Sequence, residues 1–142
     1  MAKNTKVTKV DVWAAGLTDR PGALAKKLNA LAEAGVNLEF VISRRLDRTK
    51  GRGVVFVTPI AGSGRVRAAR KAGFRKTPTL HSVRVQAANR KGAGARLTRS
   101  LAAAGINLRG VSAAATGAQA VAYFAFDTRA DANRAMRILK SL

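Results

Sequence analysis

The chain contains no cysteine, one histidine, one tryptophan and only seven Asp and Glu in 142 residues. Without cysteine there is neither a disulfide framework nor thiolate chemistry. His81 alone, with no cysteine beside it, leaves no set of donors for a metal site. The seven carboxylates are scattered, with no close pair to serve as acid and base. His81 reads as a linker or strand-edge residue, and Trp13 and Phe56 read as core or interface residues rather than a cofactor stack. No catalytic role, cofactor or metal is therefore expected. No apolar run is long enough to span a bilayer, and the basic start of the chain lacks the apolar segment of a signal peptide. A cytoplasmic protein with no membrane partner fits these absences.

What the chain has in excess is positive charge. Twenty-seven Lys and Arg give a formal net charge of +20. Charge of this size speaks about partners and solubility rather than fold, and nucleic acid is the natural polyanion. Arg44, Arg45, Arg48, Lys50 and Arg52 crowd one expected hairpin with only Asp47 among them. Arg65, Arg67, Arg70, Lys71, Arg75 and Lys76 surround an expected helix with no acid at all. Such a surface could hold phosphates through charge alone. Recognition of single-stranded RNA on a sheet would need more. The stretch Lys50-Gly51-Arg52-Gly53-Val54-Val55-Phe56-Val57 has Arg52, Val54 and Val57 where stacking aromatics would stand. Non-specific polyanion binding is thus the second functional reading.

A repeat organises the sequence. Residues 19–38 recur seventy positions later, and ten of these twenty positions are unchanged: Arg20, Gly22, Ala23, Ala25, Leu31, Ala32, Ala34, Gly35, Asn37 and Leu38. Each copy reads as a tight loop, an amphipathic helix and the entry to a strand. In the first copy Val10, Val12 and Ala14 alternate as the inward face of a strand. Asp19 and Pro21 suit a helix start, and Leu24, Leu28 and Leu31 form the helix's apolar stripe. Gly35 suits a left-handed cap. Strands follow from Leu38 and over residues 53–57, the latter apolar on both faces and so expected to be central, with Pro59 ending it. Ser63 is the expected cap of a second helix, and residues 74–80 a short fourth strand.

The second copy repeats the order through Val83, Val85 and Ala87, a helix carrying Leu97 and Leu101, strands over 106–115 and 119–126, and a last helix opened by Thr128 and Asp131. The expected fold is α+β: two tandem ferredoxin-like βαββαβ units over residues 1–80 and 81–142. The second lacks a fourth strand of its own, and residues 1–9 or a partner chain must cover its sheet edge. Self-association as a homodimer is expected, because residues 54–57 and 120–126 are apolar on both strand faces.

Asp19-Arg20-Pro21-Gly22 after a first strand, followed by Gly35-Val36-Asn37 opening the second, resembles the ACT domain, a small regulatory module that senses amino acids in many metabolic enzymes. Occurring twice in the right order, the resemblance takes in nearly the whole chain. It implies a stand-alone regulatory protein with no attached enzyme, binding a small amino acid or related metabolite between units at the first loop and helix start. The loop and strand-opening positions of the family's site fall on Asp19 and Asn37, and on Asn89 and Asn107. Arg20, Pro21, Gly22, Ala23 and Leu38 flank the first pair; Gly92, Ala93 and Leu108 flank the second. The chain departs from the family's pattern in two respects. Lys91 replaces Pro21, and Leu17 and Ala87 stand where some serine-sensing members carry histidine. An amino acid's carboxylate suits the free amides of a helix N-terminus, while Asn can donate and accept toward a zwitterion. Asp19 would favour the ammonium instead, so the two copies are not expected to be equivalent, and Asn89 with Asn107 is the closer match.

Overall fold

The computed structural model describes residues 5–142. The chain forms two compact units: residues 11–77 make one, and residues 78–142 with the N-terminal strand β1 (Lys6–Val10) make the other. In the 11–77 unit the order is β2 (Trp13–Thr18), α1 (Ala23–Glu33), β3 (Phe40–Asp47), β4 (Arg52–Thr58), α2 (Ser63–Lys71) and β5 (Arg75–Lys76). The antiparallel sheet runs β3-β4-β2-β5, the ferredoxin-like arrangement expected. β4 lies between two strands, as its apolar composition requires, and ends before a cis Thr58-Pro59 bond. The core is Trp13, Ala15, Leu31, Val55, Val57, Ile60, Ala69 and Phe74.

The first strand corrects the sequence reading. Trp13 and Ala15 are the buried positions of β2, with Leu17 packed on the same core, whereas Ala14 is only half-buried. The two-residue period breaks at Asp11 and Val12, which link β1 to β2. That link is held by its own backbone oxygens: the Thr58 hydroxyl donates to Asp11 O at 2.8 Å, and the Thr77 amide donates to Val12 O at 3.0 Å. The fourth strand is also shorter than expected. It covers Arg75 and Lys76 alone, while Phe74 before it is wholly buried.

Three helices end as their glycines suggest. At α1 the Gly35 amide donates to Ala32 O and the Val36 amide to Leu31 O; the same pair recurs at Gly105 and Ile106, and at Gly73 and Phe74. This motif satisfies two orphan carbonyls at each helix end. The residue that seals it is apolar each time. Helix starts differ from expectation. Gly22 and Gly62, not Asp19 and Ser63, precede α1 and α2, and neither helix has a side-chain cap.

The second unit contains β6 (His81–Ala88), α3 (Ala93–Ala103), β7 (Gly110–Thr116), β8 (Gln119–Phe126) and α4 (Arg129–Lys140). Its sheet runs β1-β6-β8-β7, with β1 antiparallel to β6 from Lys6 opposite Gln86 to Val10 opposite Ser82. β1 therefore holds the place that β5 holds beside β2, and covers the edge the second copy leaves open. This corrects the division into residues 1–80 and 81–142. The first strand leaves the sequence neighbour it was assigned to, because Val7 buries its side chain with Val83, Val85, Leu101, Phe124, Phe126 and Leu139. Each such burial is worth about 1.5–3 kcal/mol. At α4 the Thr128 hydroxyl accepts from the Asp131 amide at 3.0 Å, the cap its sequence announces.

Candidate functional site

The duplicated loop is built alike in both units. Gly22 and Gly92 precede α1 and α3 in the left-handed region, at φ 87° and 79°, where a side chain would be strained. Neither helix has an acidic residue in its first turn or a side chain capping its amides. The positive end of each helix dipole is thus left without a side-chain counter-charge of its own. α4, with Thr128 and Asp131, shows what a conventional start looks like in this chain.

Asp19 is taken up elsewhere. Its amide donates to Gly51 O at 2.8 Å, and its carboxylate accepts from Arg45 Nε at 2.7 Å. The loop is therefore stapled to the β3–β4 hairpin rather than to its own helix. Asn89 does the same with neutral groups: its amide donates to Ala118 O at 2.9 Å and its side-chain Nδ2 to Gly117 O at 3.0 Å.

A crevice of about 140 Å³ lies beside the α1 start, lined by Leu17, Thr18, Asp19, Arg20, Ala23, Leu24, Ser43, Arg44, Arg45 and Gly53. It brings one carboxylate and three guanidinium-bearing residues to the N-terminus of a helix. Gly53 is buried, opposite both Leu17 and Arg45 in the sheet. A β-carbon there would come within 3.0 Å of Arg44 O.

The α3 start borders a different space, about 90 Å³, lined by Thr5, Val85, Ala87, Ala88, Arg90, Ala93, Arg96, Leu97, Leu139 and Leu142. This lining is largely apolar and does not include Asn89.

Of the expected ligand residues, Asp19, Arg20 and Ala23 meet at the first crevice, with Pro21 and Gly22 in the turn between them. Ala93 borders the second space, immediately after Gly92. Asn37 with Leu38, and Asn107 with Leu108, follow the far ends of α1 and α3. An eleven-residue helix is about 16 Å long, so neither Asn reaches the crevice beside its own helix start. Both asparagines are exposed. Thr18, Ser43 and Gly53 were not singled out from the sequence; only the strand register Leu17–Gly53–Arg45 brings them in.

The basic residues divide by what they touch. Arg45 pairs with Asp19, and Arg65 Nε donates to Gly35 O at 3.0 Å, tying α2 to the end of α1. Arg48, Lys50 and Arg52 are exposed around the hairpin turn, where Asp47 Oδ1 accepts from the Thr49 hydroxyl and from the Thr49 and Lys50 amides at 2.9–3.2 Å. These bonds, the Thr49 hydroxyl foremost, hold the Asp47 carboxyl below its ordinary range. Arg67, Arg70 and Lys71 are exposed on α2. Among the described residues no group of His, Cys, Asp and Glu could hold a metal ion, and no helix is long and apolar enough to cross a membrane.

The ACT domain family model matches residues 15–72. Protein BT0572 from Bacteroides thetaiotaomicron is similar over 95% of this chain and 89% of its own, with 17% identity and a TM-score of 0.77. The ligand-free regulatory subunit of aspartate kinase from Thermus thermophilus is similar over 96% and 95%, with 18% identity and a TM-score of 0.64. The aspartokinase alpha and beta subunit structure is similar over 99% and 97%, with 18% identity and a TM-score of 0.63. At these identities the likeness is one of fold. No curated protein matches the sequence.

Proposed function

We propose, from the premise that residues 15–72 are an ACT domain, that this chain is a regulatory rather than catalytic protein binding a small amino acid or related metabolite. The observation that carries the proposal is the uncapped start of α1 at a crevice lined by both a carboxylate and guanidinium groups. A free amino acid presents the complementary pair of charges on one carbon. Its carboxylate would meet the amides of the first α1 turn and Arg20, at a helix end worth about 0.3–1 kcal/mol to an anion, more if partly buried. Its ammonium would replace Arg45 at the Asp19 carboxylate. The Asp19–Arg45 pair is exposed, and such pairs are worth little, so the exchange costs little. A relative by fold, from Thermus thermophilus, is itself a regulatory subunit.

The two helix starts then serve different ligands or different degrees of affinity, since the α3 space is largely apolar and no Asp or Glu side chain lines it. Asn37 and Asn107 lie beyond their own unit's crevice, so any ligand contact they make is to a molecule held elsewhere. We place the protein in the cytoplasm as a homodimer, with the apolar strands β4 and β8 as the reason for self-association.

A thermal-shift screen of the full chain against the common amino acids tests the reading. A binder present at a hundred times its Kd raises stability by about 2.7 kcal/mol. The Asp19→Ala variant should lose that response while keeping its own melting point within a degree or two. A screen in which no amino acid moves the transition contradicts the proposal.

A further inference from the structure

One dense group of cations, apart from those at the crevice and at the β3–β4 turn, lies on the exposed side of α2 and the strand after it. Arg67, Arg70 and Lys71 are spaced i, i+3 and i+4, which puts all three on one face of the helix, and all are exposed. Arg75 is drawn to the same end: its Nη1 donates to Arg70 O and Phe74 O, both at 2.8 Å. Lys76 joins through the Trp13 ring, whose centroid lies 5.9 Å from Lys76 Nζ and 5.7 Å from the Arg70 guanidinium carbon. Five cations thus surround the C-terminal half of α2. Among the described residues the carboxylate that meets them is Asp11, 3.5 Å from Lys76 with both groups exposed.

Helix-end stabilisation accounts for part of this and not for all of it. Cations near a helix C-terminus are favourable, and Arg70 and Lys71 occupy the last turn. Arg67 lies a full turn earlier. Like charges this dense repel one another, and cations paired at i, i+4 on an exposed helix face are mildly destabilising. A surface that accumulates such repulsion gains when a polyanion neutralises it. Trp13 is almost wholly buried, so its ring is a prop for Arg70 and Lys76 and not a platform for bases.

We infer that this face of α2 and β5 binds the phosphate backbone of nucleic acid, without reading sequence. The interaction is electrostatic, involves Arg67, Arg70, Lys71, Arg75 and Lys76, and is separate from the crevice at the α1 start. Release of counterions from the nucleic acid drives it, so affinity falls steeply with salt.

The test uses the full chain and fluorescence anisotropy with a labelled 20-base-pair DNA duplex at 50 and 200 mM salt. Neutralising the patch with the R67Q/R70Q/K71Q variant is compared with R129Q/R137Q/K140Q, which removes the same charge from α4 in the other unit. The patch variant should bind at least tenfold more weakly at 50 mM. Its slope of log affinity against log salt should be shallower by about 2–3, near 0.9 for every phosphate that is no longer neutralised. The α4 variant should change affinity less than threefold. Equal losses in both variants would reduce the effect to net charge and overturn the proposal, as would failure of the parent protein to bind at 50 mM. Tighter capture by vesicles rich in anionic lipid than by the duplex would also overturn it. Should R67Q/R70Q/K71Q melt early, R67Q with R75Q is read by the same slope criterion, expected to fall by about 1–2.

Discussion

At the scale of single residues, the crevice beside α1 depends on small groups as much as on charged ones. Gly53 sits where strands β2, β3 and β4 meet, and a methyl group there would press on Arg44 O at 3.0 Å. Backbone cannot swing aside as a side chain can. Gly53→Ala should therefore cost about 1–3 kcal/mol in urea denaturation, the usual cost of overpacking, and should narrow the crevice enough to weaken any ligand held there. Gly22 presents the opposite case. A β-carbon at Gly22 would meet open space, so Gly22→Ala should cost only the left-handed backbone penalty, about 1–2 kcal/mol. Asp19 shows how a residue can be legible in type and misread in role. An acid just before a helix suggests a cap, yet the strand register brings Arg45 within 2.7 Å and the carboxylate turns to it. Only tertiary pairing reveals that choice.

At the scale of elements, the repeat carried more information than any single motif. The unchanged positions Leu31 and Leu101 are wholly buried, and Gly35 and Gly105 form identical helix ends. Local chemistry dictates such features, so the sequence announces them. Strand phase is different: Trp13 and Ala15 face inward because the chain changes sheets at Asp11 and Val12, a decision made by the sequence-distant partners β6 and β4. The structure settles which of two candidates covers the second unit's open edge, by pairing β1 with β6. Val7→Ala should then lower the stability of the 78–142 unit by about 1–2.5 kcal/mol, read as earlier loss of amide protection in β6 and β8 than in β2 and β4. The β3–β4 turn has its own signature. Because Asp47 titrates below the ordinary carboxylate range, the stabilisation it gives is full above the unfolded value near pH 4 and is lost as pH falls through the folded one. Protection of the Thr49 and Lys50 amides, taken relative to the intrinsic exchange rate at each pH, should fall across that acidic window, and Asp47→Asn should remove this pH dependence of the protection.

At the scale of the whole molecule, sedimentation at micromolar concentration should show a dimer, and a monomer at every concentration would remove the association part of the proposed function. Ligand and polyanion binding, if both hold, should be independent: Asp19→Ala should leave duplex affinity unchanged, and R67Q/R70Q/K71Q should leave the thermal response to an amino acid unchanged. Function was less legible than fold, since the ACT pattern names a kind of site while Asn37 and Asn107 stand a helix length from the start of the helix they follow. The pairing of β1 with β6 also orders the events of synthesis. Translation delivers Lys6–Val10 before residues 11–77, yet its partner His81–Ala88 leaves the ribosome only after all of them. The strand that closes the later unit must therefore wait, unpaired, while the earlier one is completed, and a stalled or truncated nascent chain would present a bare strand able to pair with an open sheet edge of another unfinished chain.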